Sequence, residues 1–287
     1  MFAFRYISFP RFHYKIIAYT TVSNQLSTRS VDIDFVNNFL PATNDFETAE
    51  ILRNVLENTP DLQDHPPRLW KNTFQIFQDQ GFEVKKIISA IVAHPKLLYC
   101  KETQINNALT LWRKCDFGES QLHTMIENAP QLIEASEYNI LNGIPRLESI
   151  IGNKKRVSML LMRSPNAILE NWDNIEQKLN YLLNEMKIGI SEIVKSSALR
   201  RTLFEIKCRH LFLERLGIFE VRKLKNNKAE ISRSNPHLSL ISDTTDHIFA
   251  KEIAKTSYEE FIVFKNMCDK EFEEFDKEEE EFNVDSN

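Results

Sequence analysis

Ahead of four prolines, at positions 60, 95, 130 and 165, apolar residues recur at the same two offsets. Four positions before the prolines stand Leu56, Ile91, Ile126 and Leu161, and eight before stand Leu52, Ile87, Leu122 and Val157. A spacing of four stacks side chains on one helical face, so the pattern predicts an amphipathic helix before each proline. Proline has no N–H to extend that helix and disfavours helical geometry in the residue before it, so the helix stops there. Leu62, Leu97, Leu132 and the weaker Ala167 follow two positions on and predict a short apolar turn that tucks back.

A second run of helical periodicity precedes each of the later three of these helices, and another follows the last proline. Residues 69–80 place Leu69, Trp70, Phe74, Ile76 and Phe77 before Gly81; residues 105–117 place Ile105, Leu109 and Trp112 before Gly118. Residues 140–151 place Ile140, Ile144, Leu147 and Ile151 before Gly152; residues 175–188 place Ile175, Leu179, Leu182 and Met186 before Gly189. Each glycine suits a left-handed helix end, which costs little without a Cβ. The unit is helix, glycine, helix, proline, repeated every 35 residues. A fifth unit fits at a spacing of 33 if Ala198 stands in the place of proline, with Ile190 and Val194 at the two apolar offsets. One such unit cannot bury its own apolar face, and stacked neighbours make a continuous core. The prediction is an all-α fold, a curved α-solenoid with one concave surface.

Composition agrees: glycine is scarce, at 6 of 287 residues, as suits helices rather than a turn-rich β fold. Cys100, Cys115, Cys208 and Cys268 are widely spaced, which argues against a zinc site or a disulfide framework and suits a reducing compartment. No apolar run reaches the length of a membrane span, so no membrane partner is expected.

Charge changes the picture more. The formal net charge of −5 hides strong segregation. Residues 1–30 carry Arg5, Arg11, Lys15 and Arg29 with no acid, among aromatic and hydroxyl side chains, and are expected to be a mitochondrial transit peptide. Residues 31–46 are expected to be a linker and 47–267 the repeat domain. Residues 145–233 hold 18 Lys/Arg against 10 Asp/Glu, while residues 243–287 hold 5 Lys against 15 Asp/Glu. The acidic end, 268–287, has too little apolar surface to fold alone and is expected to be a disordered tail.

Clustered cations are what a phosphate backbone requires. The candidate nucleic-acid-binding residues are Lys154, Lys155, Arg156, Arg163, Lys195, Arg200, Arg201, Lys207, Arg209, Arg215, Arg222, Lys223, Lys225 and Lys228. The plainer alternative is a solvated helical face, with some cations paired to Glu205, Glu214 or Glu220. Trp70, Trp112 and Trp172 fit core packing first and base stacking second; Phe212, Leu213, Leu216, Ile218 and Phe219 also fit core first. No P-loop, G-x-G-x-x-G, G-x-S-x-G or H-E-x-x-H is present, and His94 and His123 stand singly. The expectation is a protein without catalytic residues, metal or cofactor.

The repeated phrase h-x-x-x-P-x-L-L at the end of the second helix, with glycine between helices, resembles the mitochondrial transcription termination factor (mTERF) family. "LFEIKCRHLFLERLG" (203–217) is similar to that family's late basic segment, and "ISDTTDHIFAKEI" to its closing unit. The resemblance covers roughly residues 47–265, departing at Cys208, where proline is expected, and in the fifth repeat, which lacks its proline. It implies mTERF helical repeats that bind nucleic acid in the mitochondrial matrix. The acidic tail is most like the member type that partners an NSUN-type rRNA cytosine-5 methyltransferase. That implies mitochondrial rRNA, this methyltransferase and the large ribosomal subunit as partners, in ribosome assembly and translation. Mitochondrial double-stranded DNA, in transcription or its termination, is the alternative ligand, and a protein-only scaffold is the third reading.

Overall fold

The computed structural model describes residues 39–40, 46–220 and 235–284, with side chains up to Glu271. Every regular element among them is helical. The described chain falls into two compact units that divide after Cys100.

In the first unit, α1 (Phe46–Asn58) and α3 (Val84–Ala93) pack side by side, and α2 (Pro67–Asp79) completes the unit. Leu52, Leu56, Ile87 and Ile91, the residues at the two repeated offsets, are all buried. Pro60 and Pro95 each open a turn of 3-10 helix, Pro60–Leu62 and Pro95–Tyr99. A proline at the first helical position loses no hydrogen bond, since that N–H has no partner in the helix anyway. The expected linker is not wholly outside the core: Phe39 and Leu40 are buried, and the Phe39 ring meets the edge of Trp70 at 5.9 Å. Two adjacent apolar residues have no period, which is why the pattern left them out.

The second unit continues the same grammar. First helices are α4 (Glu102–Lys114), α6 (Glu137–Ile151) and α9 (Trp172–Asn180); second helices are α5 (Glu119–Asn128), α7 (Lys154–Arg163) and α10 (Ile190–Lys195). The second helices form a row, α5 on α7 and α7 on α10. Pro130 opens a 3-10 turn, Pro130–Glu134, whereas Pro165 caps a short α-helical turn, α8 (Asn166–Leu169). Leu132 and Ala167 are buried in these turns, as Leu97 is in the turn opened by Pro95 and as the pattern predicts. Ala198 opens the 3-10 turn Ala198–Arg200 and is itself fully buried, so the fifth repeat is present without its proline.

The glycines divide. Gly81 and Gly152 have φ of 85° and 104°, the left-handed conformation expected between the helices. After α4, however, the left-handed residue is Asp116 (φ 56°), and Gly118 instead precedes α5 with φ 84° and ψ 148°. After α9 it is Lys187 (φ 54°), following a π-helical turn at Tyr181–Glu185, and Gly189 is ordinary extended backbone. In both links the reversal falls two residues before the glycine, so the Gly189 reading is corrected.

A sixth repeat follows that periodicity did not find. Its first helix is α11 (Leu203–Arg215), opened by a reciprocal capping box between Thr202 and Glu205. Its second helix is the short α12 (Leu238–Ser242), which extends the row by packing on α10. Between them lies the chain 221–234, outside the described residues. Asn235 closes its foot: Glu220 N donates to Asn235 Oδ1 (3.0 Å) and Asn235 Nδ2 donates to Glu220 O (2.8 Å). The basic segment is thus inserted where other repeats have only a short glycine link.

After α13 (Asp246–Ile248) and a π turn, α14 (Tyr258–Val284) packs on α11 through Phe261, Phe264 and Cys268. Cys268 and Cys208 are buried reduced thiols in hydrogen-bond contact, and burial pushes Cys208 up to about 12. The sequence reading ends the folded domain at 267 and expects disorder beyond. The backbone instead stays helical through Val284. Glutamate and lysine are good helix formers, so a helix nucleated on a packed stretch propagates into an acidic run.

Candidate nucleic-acid interface

The fourteen candidate cations do not form one patch. Lys154, Lys155 and Arg156 occupy the first turn of α7, whose N-cap Asn153 accepts from Arg156 N at 3.0 Å. Lys155 and Arg156 are exposed, and Lys154 is half-exposed with Asp116 at 3.5 Å. Arg163 ends the same helix, about 14 Å away at 1.5 Å per residue. Lys195 closes the neighbouring α10 and is exposed; Arg200 donates from Nε to the Arg163 carbonyl, so these three lie along the edge made by the repeat turns. Lys207 lies over the Tyr181 ring at 5.8 Å, and Arg215 over Phe264 at 4.7 Å with Glu271 at 3.9 Å. Arg222, Lys223, Lys225 and Lys228 lie outside the described residues.

Two candidates are committed to the protein itself. Arg209 is 1% exposed, and its guanidinium donates to the carbonyls of Ile241 and Thr244 and to Asp246 Oδ1 at 2.6 Å. Arg201 donates to the carbonyls of Ser242 and Thr244 and lies 3.3 Å from Glu205. The last carbonyls of a helix lack intrahelical partners, and α12 is too short to satisfy many of its own. Arginine forks from α11 and the turn before it supply the donors. Arg209, expected from sequence to touch nucleic acid, is therefore a buried structural clamp. Burial alone would raise the Asp246 carboxyl, but hydrogen bonds from Arg209 and Lys265 hold it below the usual carboxylate range.

Of the first-turn cations of α7, Lys154 has Asp116 beside it, whereas Lys155 and Arg156 have no such explanation among the described residues. The N-terminus of a helix carries partial positive charge and disfavours cations by about 0.3–1 kcal/mol each, whereas cations in a last turn are favoured. Arg163, Lys195 and Arg215 stand in last turns and gain from the dipole. Lys154, Lys155 and Arg156 stand against it, with no acid in that turn. An anion there would meet these cations together with the positive end of a ten-residue helix, one of whose N–H groups Asn153 already caps.

Of the aromatics, Trp70 and Trp112 are fully buried, and Trp112 Nε1 donates to the Leu132 carbonyl at 3.0 Å. Trp172 is only half-buried, with the Arg146 guanidinium 5.3 Å from its ring centre. Phe212, Leu213 and Phe219 are core as expected, Ile218 is half-buried, and Leu216 is 44% exposed. Arg146 was missed because it stands apart from any charge cluster. Among the described residues no group of three or more His, Cys, Asp or Glu could hold a metal, and no helix is long and apolar enough to cross a membrane.

Stacked two-helix repeats define a helical-repeat protein. The mTERF family model matches residues 47–233, and the chain belongs to the mTERF family, whose members are non-enzymatic nucleic-acid-binding factors. Over 192 residues it is 27% identical to mitochondrial transcription termination factor 4 of Mus musculus, a match that covers 67% of this chain and 55% of that protein. The chain thus spans about half the length of this curated relative.

Proposed function

We propose that the chain is a mitochondrial matrix RNA-binding protein that brings an NSUN-type cytosine-5 methyltransferase to the rRNA of the large ribosomal subunit, supporting ribosome assembly and translation. The observation that carries RNA-backbone binding is the exposed pair Lys155 and Arg156, beside the half-exposed Lys154, in a helix first turn, a placement that costs stability and suits a phosphate. Arg163 on the same helix and Lys195 on the adjacent repeat extend the cationic surface. The methyltransferase and the ribosomal subunit follow from the likeness of the acidic tail to the fourth member type of the family, to which the mouse relative's name also points. Residues 1–30 serve as the mitochondrial address. The name of that relative favours a second reading, in which the ligand is mitochondrial double-stranded DNA and the role is in transcription termination.

The two readings part in one experiment. Crosslinking in intact mitochondria, followed by sequencing of the attached nucleic acid and identification of the co-purified protein, is expected to return large-subunit rRNA and a methyltransferase. Recovery of mitochondrial DNA alone would select the second reading. In vitro, exchanging Lys155, Arg156, Arg163 and Lys195 for Gln should weaken RNA binding and lower the slope of log K against log salt by about 0.7–0.9 per lost phosphate contact. An unchanged slope would make these cations solvated faces.

A further inference from the structure

A second surface, apart from the cation clusters, narrows the nucleic-acid reading and rests on it. Between α6 and the start of α9 lies a cleft of about 520 Å³. One wall is Tyr138, Asn142 and Arg146, spaced by four along α6 and therefore on one face. The other is Trp172 and Asp173 in the first turn of α9. The floor is close because of Gly143: a Cβ there would stand 2.5 Å from Ile168 Cδ1, so α6 rests with its backbone almost on the α8 turn. Tyr138 is 71% exposed. The Trp172 indole is pinned by a bond from Nε1 to Glu176 (3.2 Å) and carries the Arg146 guanidinium on its ring. Among the described residues Arg146 has no carboxylate at ion-pair distance.

We propose that this cleft holds one unpaired nucleobase, guanine best of the four, stacked on the Arg146–Trp172 pair. Aromatic rings and guanidinium planes are the surfaces on which splayed bases stack, and the volume admits a base with its sugar. Asp173 lines the cleft, so a donor edge is welcomed there, while Glu170 is already engaged by Lys178 and Asn166. Asn142 donates from Nδ2 to the Tyr138 carbonyl (2.9 Å) and Asn139 from Nδ2 to the Ile168 carbonyl (3.0 Å). Both amides are thereby oriented, with their side-chain oxygens left as acceptors in the cleft that Asp173 also lines. Guanine presents the edge richest in donors, N1–H and N2–H₂, which the amide oxygens and Asp173 accept while the ring face rests on the Arg146–Trp172 pair. A paired base has its donor edge occupied, so the cleft selects a bulge, loop or single strand over a duplex.

The test uses the full chain with RNA hairpins that differ by a single bulged G, A, C or U, and a fully paired hairpin, all at one salt concentration. The bulged-G hairpin should bind about tenfold tighter than the paired one and quench tryptophan emission. Trp172→Ala should reduce its affinity to that of the paired hairpin, which itself binds unchanged. Arg146→Lys, which keeps the charge and loses the plane, should remove the same preference, whereas Trp172→Phe should retain it and lose only the quench. Equal binding of bulged and paired RNA by the parent, or a preference that survives both Trp172→Ala and Arg146→Lys, overturns the base site and leaves the cation reading standing. If the parent binds neither hairpin, both fall.

Discussion

Arg209 and Asp246 meet at 2.6 Å inside the protein, across the chain from the first helix of the sixth repeat to the turn after its second. Arg209→Met should therefore cost about 1–3 kcal/mol, because the buried Ile241 carbonyl loses its donor while Asp246 keeps only Lys265 and the Thr244 carbonyl only Arg201. Urea unfolding measures that loss. RNA affinity at a temperature where the variant is still folded should match the parent, which separates the clamp from the surface cations.

Leu132 is fully buried in the turn opened by Pro130, and Trp112 bonds to its carbonyl rather than its side chain. Leu132→Ala should remove packing alone and cost about 2–5 kcal/mol, with helicity retained below the melting transition. Circular dichroism during a thermal melt checks both parts. An unshifted midpoint would mean the turn contributes nothing between repeats.

His210 is one source of acid sensitivity. It is 3% exposed, its Nδ1 lies 2.8 Å from Tyr181 Oη, and burial pulls its pKa from 6.5 down to about 4. A depressed histidine pKa means that the unfolded chain binds a proton the native state refuses. Stability should then fall as pH drops from about 6.5 to about 4, by up to ~3 kcal/mol. Asp246, held below its ordinary 3.8, acts in a lower window: its stabilisation is present above that value and lost only beneath it. His210→Gln should flatten the decline between pH 6.5 and 4 and leave the steeper loss below it. Denaturant midpoints across that range give the answer.

Targeting is tested by fusing residues 1–30 to a fluorescent protein, which should enter mitochondria. Changing Arg5, Arg11, Lys15 and Arg29 to Glu should keep it in the cytosol. A parent fusion that stays cytosolic refutes the address.

The repeat was legible because packing here is local. Leu52, Ile87, Leu122 and Val157 are all buried at the same offset before a repeat turn, and a fixed offset shows in sequence. The sixth repeat was not, because residues 218–237 break the interval between Leu213 and Leu238. The cations were half legible. Sequence locates charge, but it does not show a carbonyl left bare at the end of a short helix. Arg201 and Arg209 answer such carbonyls at the end of α12, and Arg200 answers the last carbonyl of α7. Lys178 does the same, 4% exposed with Nζ on Glu170 and the Leu199 carbonyl. Lys155 and Arg156 look the same as Arg209 in one dimension, and only burial separates them. The cleft needed three elements brought together, and its stripe of Tyr138, Asn142 and Arg146 has no apolar signature.

The clasp of Asn235 around the Glu220 backbone has an evolutionary side. Closing a chain segment costs free energy that grows only as the logarithm of its length, roughly 0.6 kcal/mol for each doubling. With its foot already fastened at residues 220 and 235, the interval between can lengthen, shorten or change its charge while the helices below it keep their stability. Lineages that carry this clasp are expected to differ most in that interval, each with its own tally of lysines and arginines on an unaltered frame.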